Sequence, residues 1–173
     1  MKTLGLLSDT HGRAEIARDA VELLVRQGAE MLLHLGDIGS LAVIDALVAV
    51  GQIDGRQVQS HLVFGNCDWQ TEALTKYARA LGVMVHEPAG ELTIDGKRIV
   101  FTHGHIQAVL DHAIESGADY LLHGHTHVQA DDVIGKTRVI NPGALFRASR
   151  YTAALLTPGN GTLAVHEVVS VVR

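Results

Sequence analysis

The sequence predicts an α/β domain in which two sheets pack face to face with helices outside. Three observations predict it. As far as residue 81 the chain repeats strand, polar loop and helix three times, a layout that puts function at the carboxyl ends of strands. Beyond residue 83 it becomes strand-rich, with turn signals between short apolar runs. Its 173 residues form one domain, 1–173, long enough to bury a core without disulfide or metal staples.

Leu4 to Ser8 reads as a short buried strand. Residues 13–27 follow as an amphipathic helix, with Ile16, Ala20, Val21 and Leu24 on one face and Glu15, Arg18, Asp19, Glu22 and Arg26 on the other. Gly28 stops it. Met31 to Leu35 is a second apolar strand, and Ser40 is placed to cap a helix over 41–50. Leu41, Val43, Ile44, Leu47, Val48 and Val50 surround that helix, whose one charge is Asp45. It is either deeply buried or a homo-oligomer interface. A third strand spans 57–64 and a helix 71–81. Residues 92–101 form a hairpin on Asp95-Gly96. Ile106, Val109, Leu110, Ala113 and Ile114 mark another helix face. Strands at 119–123, 128–134, 137–140, 151–157 and 162–168 complete the chain, separated by Gly135-Lys136, Pro142-Gly143 and the run Pro158 to Gly161.

Composition narrows the function. A hydrophobic content of 47% with 19% charged residues is that of a soluble globular protein, and 4% aromatics make the core aliphatic. One cysteine, Cys67, allows no internal disulfide and fits a reducing cytoplasm. The apolar start, Met1 to Ser8, is too short for a signal peptide core or a membrane span and meets Asp9 at once. Net charge is −5, and the 14 lysines and arginines are dispersed. That argues against an extended nucleic-acid surface and leaves room for a small phosphate ester bound at one point.

Histidine is the unusual component, with 11 in all. Five patches, Asp9-Thr10-His11, Gly36-Asp37, Gly65-Asn66-Cys67-Asp68, Thr102-His103-Gly104-His105 and Gly124-His125-Thr126-His127, set oxygen and imidazole donors after glycines or apolar runs. Two close divalent metals need that supply: a few carboxylates, several neutral imidazoles and open positions for water and substrate. In an extended Asp9–His11 segment both side chains point the same way and reach one metal. Asp37 ends a buried strand, where a carboxylate needs a partner, and its two oxygens suit a bridge between metals. The Asn66 carbonyl is a hard ligand that adds no charge. Cys67 is a ligand, a general acid or an inert small hydrophobe. Two extended residues span about 6.6 Å, enough for His125 and His127 to serve metals roughly 3.5–4 Å apart. Trp69, just beyond, either stacks on a substrate ring or packs, the commoner role of indole. A metallo-β-lactamase pattern fails, because Asp111-His112 follow His103-x-His105 too late. An amidohydrolase barrel needs about 250 residues.

Together, Asp-x-His, Gly-Asp, Gly-Asn-x-Asp, Gly-His and Gly-His-x-His resemble the calcineurin-like metallophosphoesterase superfamily, over the stretch from Asp9 to Asn141-Pro142-Gly143. Small size and Gly-Asn-Cys-Asp resemble its compact microbial phosphodiesterase branch, related to the eukaryotic retromer subunit Vps29. The resemblance implies a four-layer α/β/β/α sandwich of two mixed sheets flanked by helices. It implies one metal on Asp9, His11, Asp37 and His127, and a second that shares Asp37 and takes Asn66, His103 and His125. The implied cofactors are two divalent ions, manganese or another first-row metal such as zinc, iron or nickel. The implied reaction is hydrolysis of a phosphate diester by a bridging hydroxide in line with the leaving oxygen, with Asn66, His103, Cys67 and His105 around the reacting group. Many members carry histidine where this chain has Cys67, and a cysteine is a poorer acid at neutral pH. Such an enzyme favours good leaving groups or uses His105 as substitute acid. The alternative is a Vps29-like scaffold that kept the fold and lost the chemistry, using the 41–50 helix to hold a partner. A scaffold has no physical need of seven intact ligands.

Overall fold

The structure, a computed structural model, describes residues 1–49, 52–53 and 56–169. In chain order its elements are β1 (Leu4–Leu7), α1 (Ala14–Arg26), β2 (Met31–His34), α2 (Leu41–Ala49), β3 (Gln52–Ile53), β4 (Arg56–Gln57) and β5 (Gln59–Val63). Then come α3 (Thr71–Ala80), β6 (Met84–His86), β7 (Ala89–Ile94), β8 (Lys97–Thr102), α4 (Gln107–Glu115) and β9 (Tyr120–Leu122). The chain ends with β10 (Ala130–Ile134), β11 (Thr137–Asn141), β12 (Thr152–Thr157) and β13 (Thr162–Glu167). The hairpin expected on Asp95-Gly96 forms as β7 and β8, with Ile94 opposite Lys97.

Two mixed sheets carry the fold. One runs β13-β12-β1-β2-β5-β6 and the other β10-β11-β9-β8-β7. β1, β2, β5 and β6 are parallel, as are β8, β9 and β11. Strand β6, which the sequence reading left out, joins β5 with His61 opposite Met84.

Alternation along the strands divides the core between layers. Leu4 and Leu6 of β1, Leu33 of β2, Ile99 and Phe101 of β8, and Leu122 of β9 all point into the space between the sheets. Each such fully buried side chain contributes about 1.5–3 kcal/mol of transfer free energy. Leu7 and Leu32 point the other way and meet Ile16, Val21 and Leu24 of α1. On the far side Val100 and Leu121 meet Ala113 of α4. The result is helix, sheet, sheet and helix.

The apolar residues of α2 go largely into this core. Val43, Ile44 and Leu47 are fully buried, and Leu41 is exposed; Val50 lies outside the described residues. Asp45 accepts a hydrogen bond from the Tyr77 hydroxyl at 2.6 Å, which ties α2 to α3. The expected cap at Ser40 takes a different form: its hydroxyl donates to the Gly12 carbonyl at 3.4 Å, joining two loops. Among the described residues no helix is long and apolar enough to cross a membrane.

Candidate metal centre

Five parallel strands, three from one sheet and two from the other, end level with one another and hand the chain to the five histidine- and carboxylate-bearing loops. Asp9 follows β1, Asp37 follows β2 and Asn66 follows β5; His103 follows β8 and His125 follows β9. Register aligns them, with Leu7 opposite His34 and His34 opposite Leu62. In open α/β sheets ligands bind at such carboxyl ends.

The loops bring oxygen and nitrogen atoms into contact. His127 Nε2 lies 3.2 Å from Asp9 Oδ1, and His11 Nε2 lies 3.3 Å from Asp37 Oδ2. His103 Nε2 is 3.5 Å from the same Asp37 Oδ2 and 3.1 Å from Asn66 Oδ1. Asp37 Oδ2 thus stands between two imidazoles. Donor atoms of Asp9, His11 and His127 lie within 4.8 Å of one another, as do those of Asp9, Asp37 and His103, and those of His11, Asp37 and Cys67. His125 sits beside them on a ring–ring distance of 5.1 Å to His103, and its backbone N–H donates to Asp9 Oδ2 at 3.1 Å. His105 is farther out, 5.4 Å from the His103 ring and 6.2 Å from that of His125.

The donor set fits a cation. His103 Nδ1 is 2.8 Å from the Leu35 carbonyl, an oxygen that only accepts, so the ring proton sits on Nδ1. The Nε2 of a neutral His103 then turns a lone pair toward two oxygens that likewise only accept. With His103 neutral no hydrogen lies among the three atoms, and a positive ion, whether a metal or a proton on Nε2, satisfies them. Asp9 Oδ1 and His11 Nε2 are also buried without a hydrogen-bond partner. Two glycines leave the backbone room to close in: a Cβ at Gly65 would overlap Asp37 Oδ1, and one at Gly124 would overlap the Ser8 hydroxyl.

Backbone conformation corrects the geometric part of the sequence reading. Asp9, His11, Asp37, His125 and His127 have φ of 55°, 46°, 54°, 68° and 59°, in the left-handed region. The Asp9–His11 and His125–His127 segments are therefore coiled and not extended. Each left-handed residue bears about 1–3 kcal/mol of strain, which persists where the surrounding structure over-determines it. Here that surrounding structure is visible: Asp9 N–H donates to the Gly36 carbonyl at 3.0 Å and His11 N–H to the Asp37 carbonyl at 2.9 Å.

Three further residues shape the centre in roles that the sequence reading did not assign. The Asp68 carboxylate accepts the N–H groups of Gly65 at 2.9 Å, Ile38 at 3.2 Å and Gly39 at 2.8 Å. His34, wholly buried, has Nε2 3.0 Å from the Thr10 hydroxyl between the two ligand candidates of the first loop. Asn141 donates to the Gly124 carbonyl at 2.8 Å and to the Thr126 hydroxyl at 3.0 Å, holding the last loop. The signal for Asp68 and Asn141 was present, in Gly-Asn-Cys-Asp and Asn-Pro-Gly. Trp69 does not pack: it is 87% exposed.

Electrostatics follow from the contacts. Burial opposes the charge on Asp37, but the His103 ring and the Cys67 N–H, donating to Oδ1 at 2.8 Å, outweigh it and hold the carboxyl far below the usual carboxylate range. Burial and the neighbouring Asp37 charge push the Cys67 thiol up, so it stays protonated. Burial depresses His105, helped by the charges of His103 and His125. Burial, with the charge of His103 adding to it, brings His34 down to about 3, so it is neutral.

Residues 1–161 match the calcineurin-like phosphoesterase superfamily domain. The chain belongs to that superfamily. It is 30% identical over 142 residues to the phosphodiesterase MJ0936 of Methanocaldococcus jannaschii, covering 81% of this chain and 82% of that one. Among solved structures, an archaeal phosphodiesterase superposes with a TM-score of 0.82 at 26% identity, over 95% of this chain and 99% of that chain. Vps29 of Cryptosporidium parvum shares the fold, with a TM-score of 0.61 at 17% identity over 96% of this chain and 97% of that one. The superfamily's two mixed sheets with flanking helices are those described above.

Proposed function

We propose that this protein is a metal-dependent phosphodiesterase that holds two divalent cations, manganese foremost, and hydrolyses a small phosphate diester. The observation that carries the reading is the meeting of His103 Nε2 with Asn66 Oδ1 at 3.1 Å and Asp37 Oδ2 at 3.5 Å, two oxygens that only accept and that a cation would share with the lone pair of the neutral imidazole. Asp9, His11, Asp37 and His127 would hold one cation; Asp37, Asn66, His103 and His125 would hold the other. When bound, such ions supply a hydroxide nucleophile near neutral pH and positive charge against the phosphoryl oxygens.

The chain's own residues do the rest. The Leu35 carbonyl holds the proton of His103 on Nδ1 and keeps Nε2 free. The Cys67 N–H fixes the orientation of the Asp37 carboxylate, so that Oδ2 faces both imidazoles. Cys67 Sγ, protonated, and His105, at the outer edge, are the two candidates to hand a proton to the leaving oxygen. The single thiol suits work in the reducing cytoplasm.

The test is hydrolysis of bis-p-nitrophenyl phosphate beside p-nitrophenyl phosphate, with chelated protein and manganese then restored. Manganese-dependent diester cleavage that vanishes in Asn66→Ala is expected. Stoichiometric manganese binding without turnover on either ester would point instead to a Vps29-like scaffold.

A further inference from the structure

A cleft of about 430 Å³ opens beside the candidate centre, and His127 forms part of its wall. Its other walls come from Gln129 just before β10, Ser149 and Arg150 just before β12, and Glu167 at the end of β13. β13 and β10 are outermost strands of the two sheets, so the cleft lies where their edges approach. Other clefts, beside α1 and around the start or the end of α3, contain none of the candidate ligands.

A diester has two arms. One departs; the other stays on phosphorus and must lie against the protein next to the reacting centre. A cleft that shares His127 with that centre is where the retained arm can lie. Its side chains restrict what that arm is. Among the described residues, Gln129, Ser149, Arg150 and Glu167 make no side-chain hydrogen bond or ion pair, so their donors and acceptors are free for a ligand. With one guanidinium and one carboxylate in its wall, the cleft offers a second phosphate or a carboxylate no net attraction. An alkyl or aryl arm would strip water from a guanidinium and a carboxylate without replacing its hydrogen bonds. Adjacent hydroxyls suit both: they donate to Glu167 and accept from Arg150, while Gln129 and Ser149 can do either. Val165, also in the wall, offers an apolar surface to the carbon-bound faces of such a group.

We infer that the cleft binds the retained arm of the substrate and that this arm carries a vicinal diol, as in a glyceryl or a ribosyl ester. The inference rests on the phosphodiesterase reading above and names the substrate class it implies.

Three diesters with one leaving group test it on the manganese-loaded protein: p-nitrophenyl glyceryl phosphate, the p-nitrophenyl 5′-phosphodiester of uridine, and p-nitrophenyl propyl phosphate, which lacks the hydroxyls. At least one diol ester should exceed the propyl ester about tenfold in kcat/KM. A gain for the glyceryl ester alone assigns the diol to glycerol, and a gain for the uridine ester alone assigns it to ribose. In Glu167→Ala and Arg150→Ala that ratio should fall to within about twofold, with the diol ester losing kcat/KM. A propyl ester used as well as both diol esters overturns the proposal, as does a preference that survives both substitutions. If no ester turns over, the hydrolase reading fails and the cleft is judged by binding. Calorimetry should then give glycerol 3-phosphate or uridine 5′-phosphate a Kd about tenfold below that of propyl phosphate. Affinities within about twofold for all three would refute the diol site by itself.

Discussion

Asp68 accepts the backbone N–H of Gly39 at 2.8 Å, which ties the loop carrying Asn66 to the loop carrying Asp37. The same carboxylate reaches Ile38 and Gly65, so one side chain sets the separation of two candidate ligands it does not touch. We predict that Asp68→Asn, which turns one acceptor into a donor facing an N–H, destabilises the fold by about 1–3 kcal/mol. Manganese affinity should fall roughly 10–100-fold. Thermal unfolding and calorimetry check both, and unchanged affinity would show that the loops hold their spacing without it.

Gly65→Ala tests the crowding at Asp37 directly. A Cβ there would overlap Asp37 Oδ1 and come within 2.6 Å of the Asp37 backbone nitrogen. We expect loss of manganese binding together with diesterase activity, seen by calorimetry on folded protein. Retention of both would mean that the Asp37 carboxylate is free to move.

The Cys67 thiol stays protonated beside His11 and Asp37, yet it is a poor match to an alkoxide leaving group at neutral pH. Cys67→His is predicted to raise turnover of an alkyl diester by about tenfold or more relative to a p-nitrophenyl diester. An unchanged ratio between the two substrates would remove Cys67 from proton transfer and leave His105 as the candidate.

Metal binding should depend on pH through His103. Burial works against its charged form, but Asp37 and the Leu35 carbonyl prevail and raise its pKa. In the metal-free protein its stabilising contribution is therefore complete below about pH 6.5, the ordinary imidazole value, and fades as pH rises through the raised one. A cation needs the lone pair that this proton occupies. Manganese should accordingly raise Tm more at about pH 8 than at about pH 6, measured by scanning calorimetry. Equal shifts at the two pH values would contradict the competition.

His61 has the opposite sign. It stacks on His86 with Nδ1 3.0 Å from His86 Nε2, and burial lowers its pKa to about 4. Its neutral form contributes full stability above about pH 6.5, and that contribution is lost as pH falls toward about 4. We predict a smaller drop in Tm between about pH 7.5 and pH 5 for His61→Leu than for the wild type. An equal drop would assign the acid sensitivity elsewhere, His34 being the next candidate.

The hydrophobic pattern made most of the fold legible. Ile16, Ala20, Val21 and Leu24 lie on the buried face of α1 as their spacing indicates, and Asp95-Gly96 turns the hairpin where a type I′ preference puts it. Strand β6 escaped because Met84-Val85-His86 is three residues long and half-polar, and its pairing with β5 is a tertiary fact. The loops that hold donor atoms were legible because Asp, Asn and His stood together after apolar runs. Their conformation was not. Nothing in Asp-Thr-His distinguishes an extended segment from a left-handed one, since backbone bonds to Gly36 and Asp37, distant in sequence, make that choice. Nor does composition reveal that Trp69 stands in solvent; its exposure depends on where α3 begins and what packs beneath it.

The division of the donors between two sheets has a mechanical consequence. Asp9, Asp37 and Asn66 hang from one sheet, His103 and His125 from the other, and what otherwise joins the sheets is largely the non-directional packing of leucine, isoleucine and phenylalanine. Cations seated among those side chains would act as a rivet through both plates. Amide exchange in β1, β2, β5, β8 and β9 should slow in concert on loading, because opening one sheet would then require releasing the other.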